Sequence, residues 1–448
     1  MQSLPIMSVS GIRGIVGTTI TPQFYAAIAY LQTQYLGKGT ILVARDTRPS
    51  GEEMAKAIFC GIRAAGGIPV DLGIAPTPTA CVAVQHSRAS GGIIITASHN
   101  PSQYNGYKMI HPSGRLFKGS ECDDIYRAYK ERTVPVFDPA ELASGKPDTT
   151  LDGVAIHLDA ILENVDISSI RAAKLTVAVD SINGAAGVIF PALLEKLGVK
   201  WVGVHNKIDG DFVHNPEPRP EHLTDLAALM RTTSGLCAGF IFDPDADRLA
   251  TMGEHGEPVS EEMTLVLAAS AILARKKSSI ATNLSTSMMI DDVARMFGVS
   301  VIRTKIGEAN VVEALLQNKC VIGGEGNGGV IYPAISIVRD GLTGIALILE
   351  NIAKTGKTLM QLVSQWKQYP IVKDKISCEN KNPAQLIASL TKEFSGETID
   401  VQDGLKIIRD YGWVHIRPSN TEPILRCYAE AHTEEQARQL VAMIMSKI

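Results

Sequence analysis

The dipeptide Ser98-His99 is the first place where residue types and spacing could do chemistry. It follows three consecutive isoleucines that end at Ile95, and Asn100-Pro101 closes the segment. The apolar run indicates a strand covered on both faces, and the proline stops any regular element. Ligands of open α/β sheets bind outside the carboxyl ends of the strands. Ser98 is therefore a candidate nucleophile with His99 as a proton carrier, and a plain polar turn is the alternative.

A hydrolase elbow is excluded at this serine. That elbow reads G-x-S-x-G, whereas Ala97 and His99 flank Ser98. The lipase and esterase classes are therefore set aside.

Three aspartates alternate after the apolar strand Cys237 to Phe242, at positions Asp243, Asp245 and Asp247. In an extended loop their carboxylates would face one way and repel one another, which a hard divalent cation relieves. Oxygen ligands suit Mg²⁺ or Ca²⁺, and a site with few protein ligands that leaves room for a phosphate favours Mg²⁺. An EF-hand is excluded because Arg248 occupies the position that requires glycine. An aspartyl-phosphate phosphatase and an ordinary acidic turn remain alternatives.

A glycine-rich loop, Gly324 to Gly329, follows a short strand and matches G-x-G-x-x-G. Pro333 follows four residues later, so no helix N-terminus is available to hold a dinucleotide pyrophosphate. Glu325 and Asn327 in this loop are better suited to sugar hydroxyls, which the glycines allow to approach closely.

A polar turn near the carboxyl end could bind a phosphate dianion, with a plain turn as the alternative. It combines a guanidinium, hydroxyls and an amide, and consists of Arg417, Pro418, Ser419, Asn420, Thr421, Glu422 and Pro423, with Arg426 behind it. Near the amino end, three glycines around Arg13 give a backbone that a ligand can approach closely, with a surface loop as the alternative.

The elements that must position these loops alternate between helix and strand. Three times a helix ends at a glycine and a short strand follows, at 63–70, 194–201 and 294–301. After one more helix and strand each copy reaches a polar loop, which predicts three related α/β domains with mixed sheets. Close-spaced strands and a final amphipathic helix predict a smaller α+β domain after them.

The predicted domains are residues 1–146, 147–253, 254–366 and 367–448, with each boundary drawn near a proline- or glycine-containing stretch. A chain of 448 residues is long enough for two to four cores. The first three domains would carry the serine, aspartate and glycine loops in turn, and the fourth the phosphate loop.

Composition excludes several partner classes. The net charge is −4, so no overall positive field is available to hold nucleic acid or an anionic membrane. The seven cysteines never occur in C-x-x-C spacing, which is typical of reduced thiols in a cytoplasmic protein. No signal sequence or membrane span is predicted.

The four motifs, in this order, resemble the α-D-phosphohexomutase family over nearly the whole chain. The resemblance implies a heart-shaped enzyme of four domains that binds one Mg²⁺ and moves a phosphoryl group between two positions of a hexose through a hexose 1,6-bisphosphate. It implies a phosphoserine at Ser98 and Mg²⁺ held by Ser98, Asp243, Asp245 and Asp247. The further implied roles are proton transfer at His99 or Lys108, a catalytic position for Arg13, and substrate binding by Arg248, Lys305, Glu308, Glu325, Asn327, Arg417, Ser419, Asn420, Thr421 and Arg426.

The sugar loop differs from the usual family pattern, with Asn327 in place of serine and Gly329 in place of histidine. This variant is similar to the archaeal-type phosphoglucosamine mutase branch, and Glu308 near a sugar amine would favour glucosamine electrostatically. Phosphomannomutase or phosphoglucomutase activity is the alternative within the family. A serine-dependent sugar phosphatase and a sugar-phosphate-binding protein are the alternatives outside it. Both a monomer and a homodimer are compatible with the sequence.

Overall fold

The computed structural model describes residues 5–8, 11–131, 133–217, 220–378, 382–419 and 424–448. Four sheets, each with its own helices, follow one another along the chain. Among the described residues, no helix combines the length and the apolar character needed to cross a bilayer.

The first domain is built on a seven-stranded sheet. Its strands are β1 Ile6–Ser8, β2 Gly11–Ile15, β3 Gly39–Arg45, β4 Gly67–Ile74, β5 Gly91–Ile95, β6 Tyr104–Ile110 and β7 Thr149–Thr150. Its helices are α1 Pro22–Tyr35, α2 Gly51–Ala64, α3 Thr77–Ser87, α4 Gly119–Glu131 and α5 Pro139–Ser144. Because β7 pairs with β4, this sheet extends past residue 146 to Thr150.

The second domain has a four-stranded sheet. Its elements are α6 Gly153–Leu162, α7 Ile167–Ala173, β8 Thr176–Asp180, α8 Phe190–Lys196, β9 Lys200–Val204, α9 Thr224–Thr232, β10 Ala238–Phe242 and β11 Leu249–Met252. The third domain repeats that plan with α10 Glu262–Leu273, β12 Ile280–Asn283, α11 Met289–Phe297, β13 Val301–Thr304, α12 Glu308–Gln317, β14 Ile322–Glu325, β15 Gly329–Ile331, α13 Gly341–Thr355 and α14 Leu359–Val363.

The fourth domain is an antiparallel five-stranded sheet with two helices. Its elements are β16 Ile371–Ser377, α15 Pro383–Glu393, β17 Thr398–Asp400, β18 Leu405–Arg409, β19 Gly412–Pro418, β20 Ile424–Ala431 and α16 Glu434–Met445. The predicted α+β tail is thus confirmed.

The first three sheets share one strand arrangement. In each, a central strand (β3, β8 or β12) has parallel neighbours on both sides, and the later neighbour pairs with an antiparallel strand. The serine, aspartate and glycine loops each join that later neighbour to its antiparallel partner, as β5–β6, β10–β11 and β14–β15. The predicted repeat is therefore one of topology, and it gives the three loops equivalent positions.

The central apolar strands are covered on both faces, as the isoleucine run predicts. Ile93 and Ile95 pack into the cluster that contains α1 and α2, whereas Ile94 packs with α3 on the opposite face. Alternate residues of a strand point to opposite faces, so an unbroken apolar run fits only a sheet with two covers. This rigid strand ends three residues before Ser98.

The segment around Arg13 is a strand. Residues Gly11–Ile15 form β2, which pairs with β6, and Ile12 is buried in the first core. The surface-loop alternative is therefore wrong, because the sheet absorbs the backbone hydrogen bonds that a loop would expose to water.

Candidate active site

Ser98 lies in a loop that a buried arginine holds in place. The Arg48 guanidinium donates hydrogen bonds to the carbonyl oxygens of Ser98 (2.7 Å), Asn100 (2.6 Å), Pro101 (2.6 Å) and Tyr104 (2.9 Å). Asp46 pairs with Arg48 at 2.9 Å, so the buried positive charge is balanced. Five donors on one planar group suit this task of gathering carbonyls.

Ser98 itself faces the aspartate loop of the second domain. Its Oγ lies 3.3 Å from Asp243 Oδ2 and 3.4 Å from His99 Nδ1. The structure thus brings together a hydroxyl, an imidazole and a carboxylate from residues 145 positions apart. The family resemblance implies that these residues share one site.

The three aspartates converge through a turn. Their ligand oxygens lie within 4.8 Å of one another, and all three side chains are buried. The expected extended loop is wrong. In an extended chain alternate residues are about 6.6 Å apart, so the three carboxylates would be spread along the chain and would not meet. A hydrogen bond from the Ala246 N–H to the Asp243 carbonyl closes the turn, with Ala246 in a left-handed conformation (φ 55°).

The three buried aspartates form an environment that a bound cation would stabilise. Burial and then the neighbouring Asp247 and Asp245 raise the pKa of Asp243 well above its usual value. Asp245 Oδ1 and Asp247 Oδ1 are buried, and each is without a hydrogen-bond partner in the described part of the chain. Buried carboxylate oxygens that lack hydrogen-bond donors are groups that a hard cation would satisfy. The residues present therefore fit a divalent metal ion.

Lys108 and Thr77 reach the trio from the first domain. Lys108 Nζ lies 2.6 Å from Asp245 Oδ2 and 3.2 Å from Asp247 Oδ2, and Thr77 Oγ1 donates to Asp245 Oδ2 at 2.5 Å. Burial would lower the pKa of Lys108, but Asp245 and Asp247 raise it above its usual value. Lys108 is therefore a fixed ammonium group that balances the aspartates.

His99 and Arg13 also contact the Ser98 loop. Burial, then Arg248 and Arg13, lower the pKa of His99 to about 2, so its imidazole is neutral. Arg13 donates to Asn100 Oδ1 at 3.0 Å, and burial together with Arg248 lowers the pKa of Arg13. A buried guanidinium beside a second guanidinium favours a bound anion.

Arg339 joins the aspartate and glycine loops, and the sequence analysis missed it. Its Nη2 lies 2.7 Å from Asp247 Oδ2, and its Nη1 lies 2.9 Å from Glu325 Oε2. Its Nε lies 3.2 Å from Glu308 Oε2, and its backbone N–H donates to Glu308 Oε1 at 2.8 Å. The one local signal was its place directly before Asp340, the N-cap of α13.

Glu308 is therefore paired with Arg339. Both of its oxygens meet Arg339, and burial raises its pKa although Arg339 opposes that shift. The guanidinium contacts this carboxylate, and the hypothesis that Glu308 favours a sugar amine stays a prediction.

The glycine loop is held at both ends. Glu325 accepts a hydrogen bond from Asn283 Nδ2 at 2.9 Å, and Asn327 Oδ1 accepts from the Gly329 N–H at 3.3 Å. Lys305 lies exposed just before α12. These contacts fix the positions of Glu325 and Asn327 in the loop.

The phosphate turn of the fourth domain is described in part. Arg417 and Arg426 are direct partners on β19 and β20, and the Ser419 N–H donates to the Ile424 carbonyl at 2.9 Å. Burial lowers the pKa of Arg417, the charge of Asp403 opposes that shift, and Arg426 adds to it. Asn420 and Thr421 lie outside the described residues. Two arginines opposite each other across a sheet repel, and an anion relieves that repulsion.

The fold and the site together define an α/β isomerase of the phosphohexomutase class. Four family descriptions of phosphoglucomutase/phosphomannomutase match: domain I at residues 6–135, domain II at 155–256, domain III at 260–369 and the C-terminal domain at 373–447. The chain belongs to the phosphoglucomutase/phosphomannomutase family, whose members are intramolecular phosphotransferases.

Individual relatives cover nearly the whole chain. A phosphoglucomutase/phosphomannomutase of Thermococcus kodakarensis is 36% identical over 97% of this chain and 96% of its own. A probable phosphoglucosamine mutase of Methanopyrus kandleri is 34% identical over 96% of this chain and 95% of its own. A solved family protein of Burkholderia thailandensis has a TM-score of 0.86 at 26% identity, over 100% of this chain and 97% of its own.

Proposed function

We propose that Ser98 carries a phosphoryl group and exchanges it with a hexose monophosphate, which interconverts hexose 6-phosphate and hexose 1-phosphate. The observation that carries this is the 3.3 Å separation of Ser98 Oγ from Asp243 Oδ2, at the edge of the buried aspartate trio. In the first step the bond between phosphorus and Ser98 Oγ breaks, and a bond to the free sugar hydroxyl forms. The resulting hexose 1,6-bisphosphate returns its other phosphoryl group to Ser98 after turning around.

The metal would be Mg²⁺, held by Asp243, Asp245 and Asp247 next to the phosphoryl group on Ser98. Three carboxylates without nitrogen or sulfur donors favour a hard ion that keeps positions open for phosphate oxygens. When bound, Mg²⁺ supplies charge that offsets the negative phosphoryl oxygens.

His99 is the candidate nearest to Ser98 for the hydroxyl proton, and to act as a base it needs the anionic phosphoryl group on Ser98 to raise its low pKa. Its Nδ1 lies 3.4 Å from Ser98 Oγ, within reach of a hydroxyl that attacks there. Lys108 Nζ is already engaged by Asp245 and Asp247. Lys108 would therefore act by balancing charge at the trio.

Arg417 and Arg426 would bind the phosphate that is distant from Ser98. Their pairing on adjacent strands places two guanidinium groups together, and Arg426 Nε is buried without a hydrogen-bond partner among the described residues. Ser419, Asn420 and Thr421 would add hydroxyl and amide donors. Arg13 and Arg248 would bind the phosphate near Ser98, and Glu325, Asn327 and Lys305 would contact the sugar.

Glucosamine phosphate is the proposed substrate, with glucose and mannose phosphates as the alternative. Probable phosphoglucosamine mutases, including the Methanopyrus kandleri relative, support glucosamine. The Thermococcus kodakarensis relative, named phosphoglucomutase/phosphomannomutase, supports the alternative. Because Glu308 is paired with Arg339, the preference rests on these relatives and not on that carboxylate.

Turnover of glucosamine 6-phosphate, mannose 6-phosphate and glucose 6-phosphate with Mg²⁺ tests this assignment. We expect the highest kcat/KM for glucosamine 6-phosphate, and equal or slower glucosamine turnover would overturn that choice. Intact mass after incubation with a hexose 1,6-bisphosphate should show one added phosphoryl group. Free phosphate as the main product would instead identify a phosphatase.

A further inference from the structure

A second group of metal-ligating side chains lies in the second domain, separate from the aspartate trio. Asp180 ends β8, His205 directly follows β9, and His214 comes from the loop beyond it. Asp180 Oδ2 lies 3.0 Å from His205 Nδ1 and 3.2 Å from His214 Nε2. All three ligand atoms lie within 4.8 Å of one another. None of these residues belongs to the mutase site.

Each imidazole has an acceptor behind it. His205 Nε2 lies 3.1 Å from Asp225 Oδ2, and His214 Nδ1 lies 2.9 Å from the carbonyl oxygen of Asn215. Both nitrogens of each imidazole therefore face an acceptor, and the inner N–H groups donate to the Asp180 carboxylate. A metal ion that replaces these inner protons would bind both inner nitrogens and the carboxylate, while the outer acceptors keep the rings oriented. Histidines that bind metals are characteristically held by such an acceptor on the other ring nitrogen.

We propose that Asp180, His205 and His214 bind one divalent transition-metal ion of the zinc class. Two imidazole nitrogens and one carboxylate favour zinc over Mg²⁺, which prefers oxygen ligands. Tetrahedral zinc with ligands at about 2.0–2.2 Å places its donors roughly 3.3 Å apart, and the 3.0 and 3.2 Å separations are close to that.

A metal ion could reach these three ligands from the solvent. The Asp180 side chain is 1% exposed, whereas His205 and His214 are 16% and 14% exposed. An ion can therefore enter from the histidine side and reach a carboxylate that is shielded from bulk water. Three protein ligands leave a fourth position for water.

A metal ion at this site would stabilise the contact between the second domain and Thr47-Arg48 of the first domain. Thr47 Oγ1 donates to the Asn183 carbonyl at 2.9 Å, three residues beyond Asp180. The Arg48 guanidinium lies 5.0 Å from the Phe212 ring, two residues before His214. Since Arg48 also holds the carbonyl oxygens of the Ser98 loop, the ion would act as a positioning element.

Cobalt spectroscopy on the full-length protein tests the proposal. The protein is stripped with a chelator, supplied with excess Mg²⁺ to fill the aspartate trio, and titrated with Co²⁺. We expect one equivalent of Co²⁺ to give the strong visible absorption of a four-coordinate site, and Zn²⁺ to displace it. A wild-type protein that gives no such absorption would overturn the proposal.

Variants identify the ligands. His214→Gln should weaken Zn²⁺ binding at least tenfold, and Asp225→Asn, which keeps all three ligands and alters an exposed side chain, should weaken it about 10- to 100-fold. His86→Gln changes an exposed histidine of α3 and should leave binding unchanged. Equal Zn²⁺ affinity of His214→Gln and His86→Gln would refute the site. Asp225→Asn keeps the test decisive if His214→Gln does not fold.

Discussion

At the scale of single residues, the site holds two non-glycine residues in left-handed conformations. Ser98 has φ 50° and Ala246 has φ 55°. Such conformations cost about 1–3 kcal/mol each and persist only where the surroundings impose them. Arg48 imposes the first through the Ser98 carbonyl, and the Gly341 N–H, which donates to the Ala246 carbonyl at 3.0 Å, supports the second.

Replacement of Ser98 by alanine should abolish the exchange without unfolding the protein. Because the hydroxyl is the proposed carrier, kcat should fall at least about a thousandfold, and hexose 1,6-bisphosphate should add no mass. Intact mass and a coupled mutase assay measure both. Ser102→Ala, an exposed serine in the same loop, is the control and should behave as wild type. Retained phosphorylation of the Ser98→Ala variant would contradict the assignment.

Arg339→Gln should lose both stability and activity. The change leaves Asp247, Glu325 and Glu308 without their shared cation, which we expect to cost about 3–5 kcal/mol of unfolding free energy. Arg339→Lys keeps the charge but lacks the planar fork, so it should recover only part of the loss.

Chemical denaturation measures these changes. Arg295→Gln breaks an exposed arginine–aspartate pair and should leave the unfolding free energy nearly unchanged. If Arg339→Gln were as mild as this control, Arg339 would not hold the loops together.

At the scale of elements, the β14–β15 loop is shaped by the lack of side chains at its glycines. A Cβ on Gly326 would lie 2.0 Å from the buried Glu262 carboxylate. A Cβ on Gly328, where φ is 86°, would lie 2.4 Å from the Leu249 carbonyl oxygen. The loop that carries Glu325 and Asn327 is therefore pressed between α10 and β11.

Gly328→Ala should displace this loop. We expect a stability loss of at least about 2 kcal/mol and a raised KM, since the backbone of Leu249 cannot yield. Gly298→Ala is a matched control, because Gly298 also has positive φ (67°) but meets no atom within 4 Å. It should cost only about 1 kcal/mol and leave KM unchanged. Equal effects of the two variants on thermal unfolding and KM would count against a packed loop.

At the scale of the whole molecule, two buried carboxyl groups lie where the third and fourth domains meet. Glu262 Oε2 accepts from the Ser287 N–H at 2.9 Å, and Glu430 Oε2 accepts from the Met288 N–H at 2.7 Å and from Trp413 Nε1 at 2.8 Å. Burial raises the pKa of Glu430, and it raises that of Glu262 well above the usual 4.5. Between pH 4.5 and their raised pKa values, these two carboxyl groups stay protonated in the folded protein, whereas they are ionised in the unfolded chain.

Stability should therefore fall as pH rises from 4.5, the ordinary pKa of Glu262, to its higher folded-state pKa. Within that window each such group contributes a slope of about −1.4 kcal/mol per pH unit, because the folded state holds more protons. Glu262→Gln removes one ionisable group, so its unfolding free energy relative to wild type should grow with pH. Glu53→Gln, an exposed glutamate of α2, should show no such trend. Denaturation across this pH range measures it, and parallel profiles of Glu262→Gln and wild type would disprove the effect.

Much of this protein was determined locally by its sequence. The apolar runs that became β5 and β10, the glycines that end α2 and α11, and the polar loops after the strands depend on near neighbours in the chain. Ser98, the three aspartates and Glu325 could therefore be predicted as site residues before their geometry was known.

Tertiary structure alone decided how these residues combine. Arg339 meets Asp247 across 92 positions, and Lys108 meets Asp245 across 137, so neither pair leaves a pattern in any short window. Arg339 also pairs with Glu308 across 31 positions, which no short-range pattern indicates. Ion pairs depend on distances in space, and those distances are set only when the equivalent loops of three sheets converge.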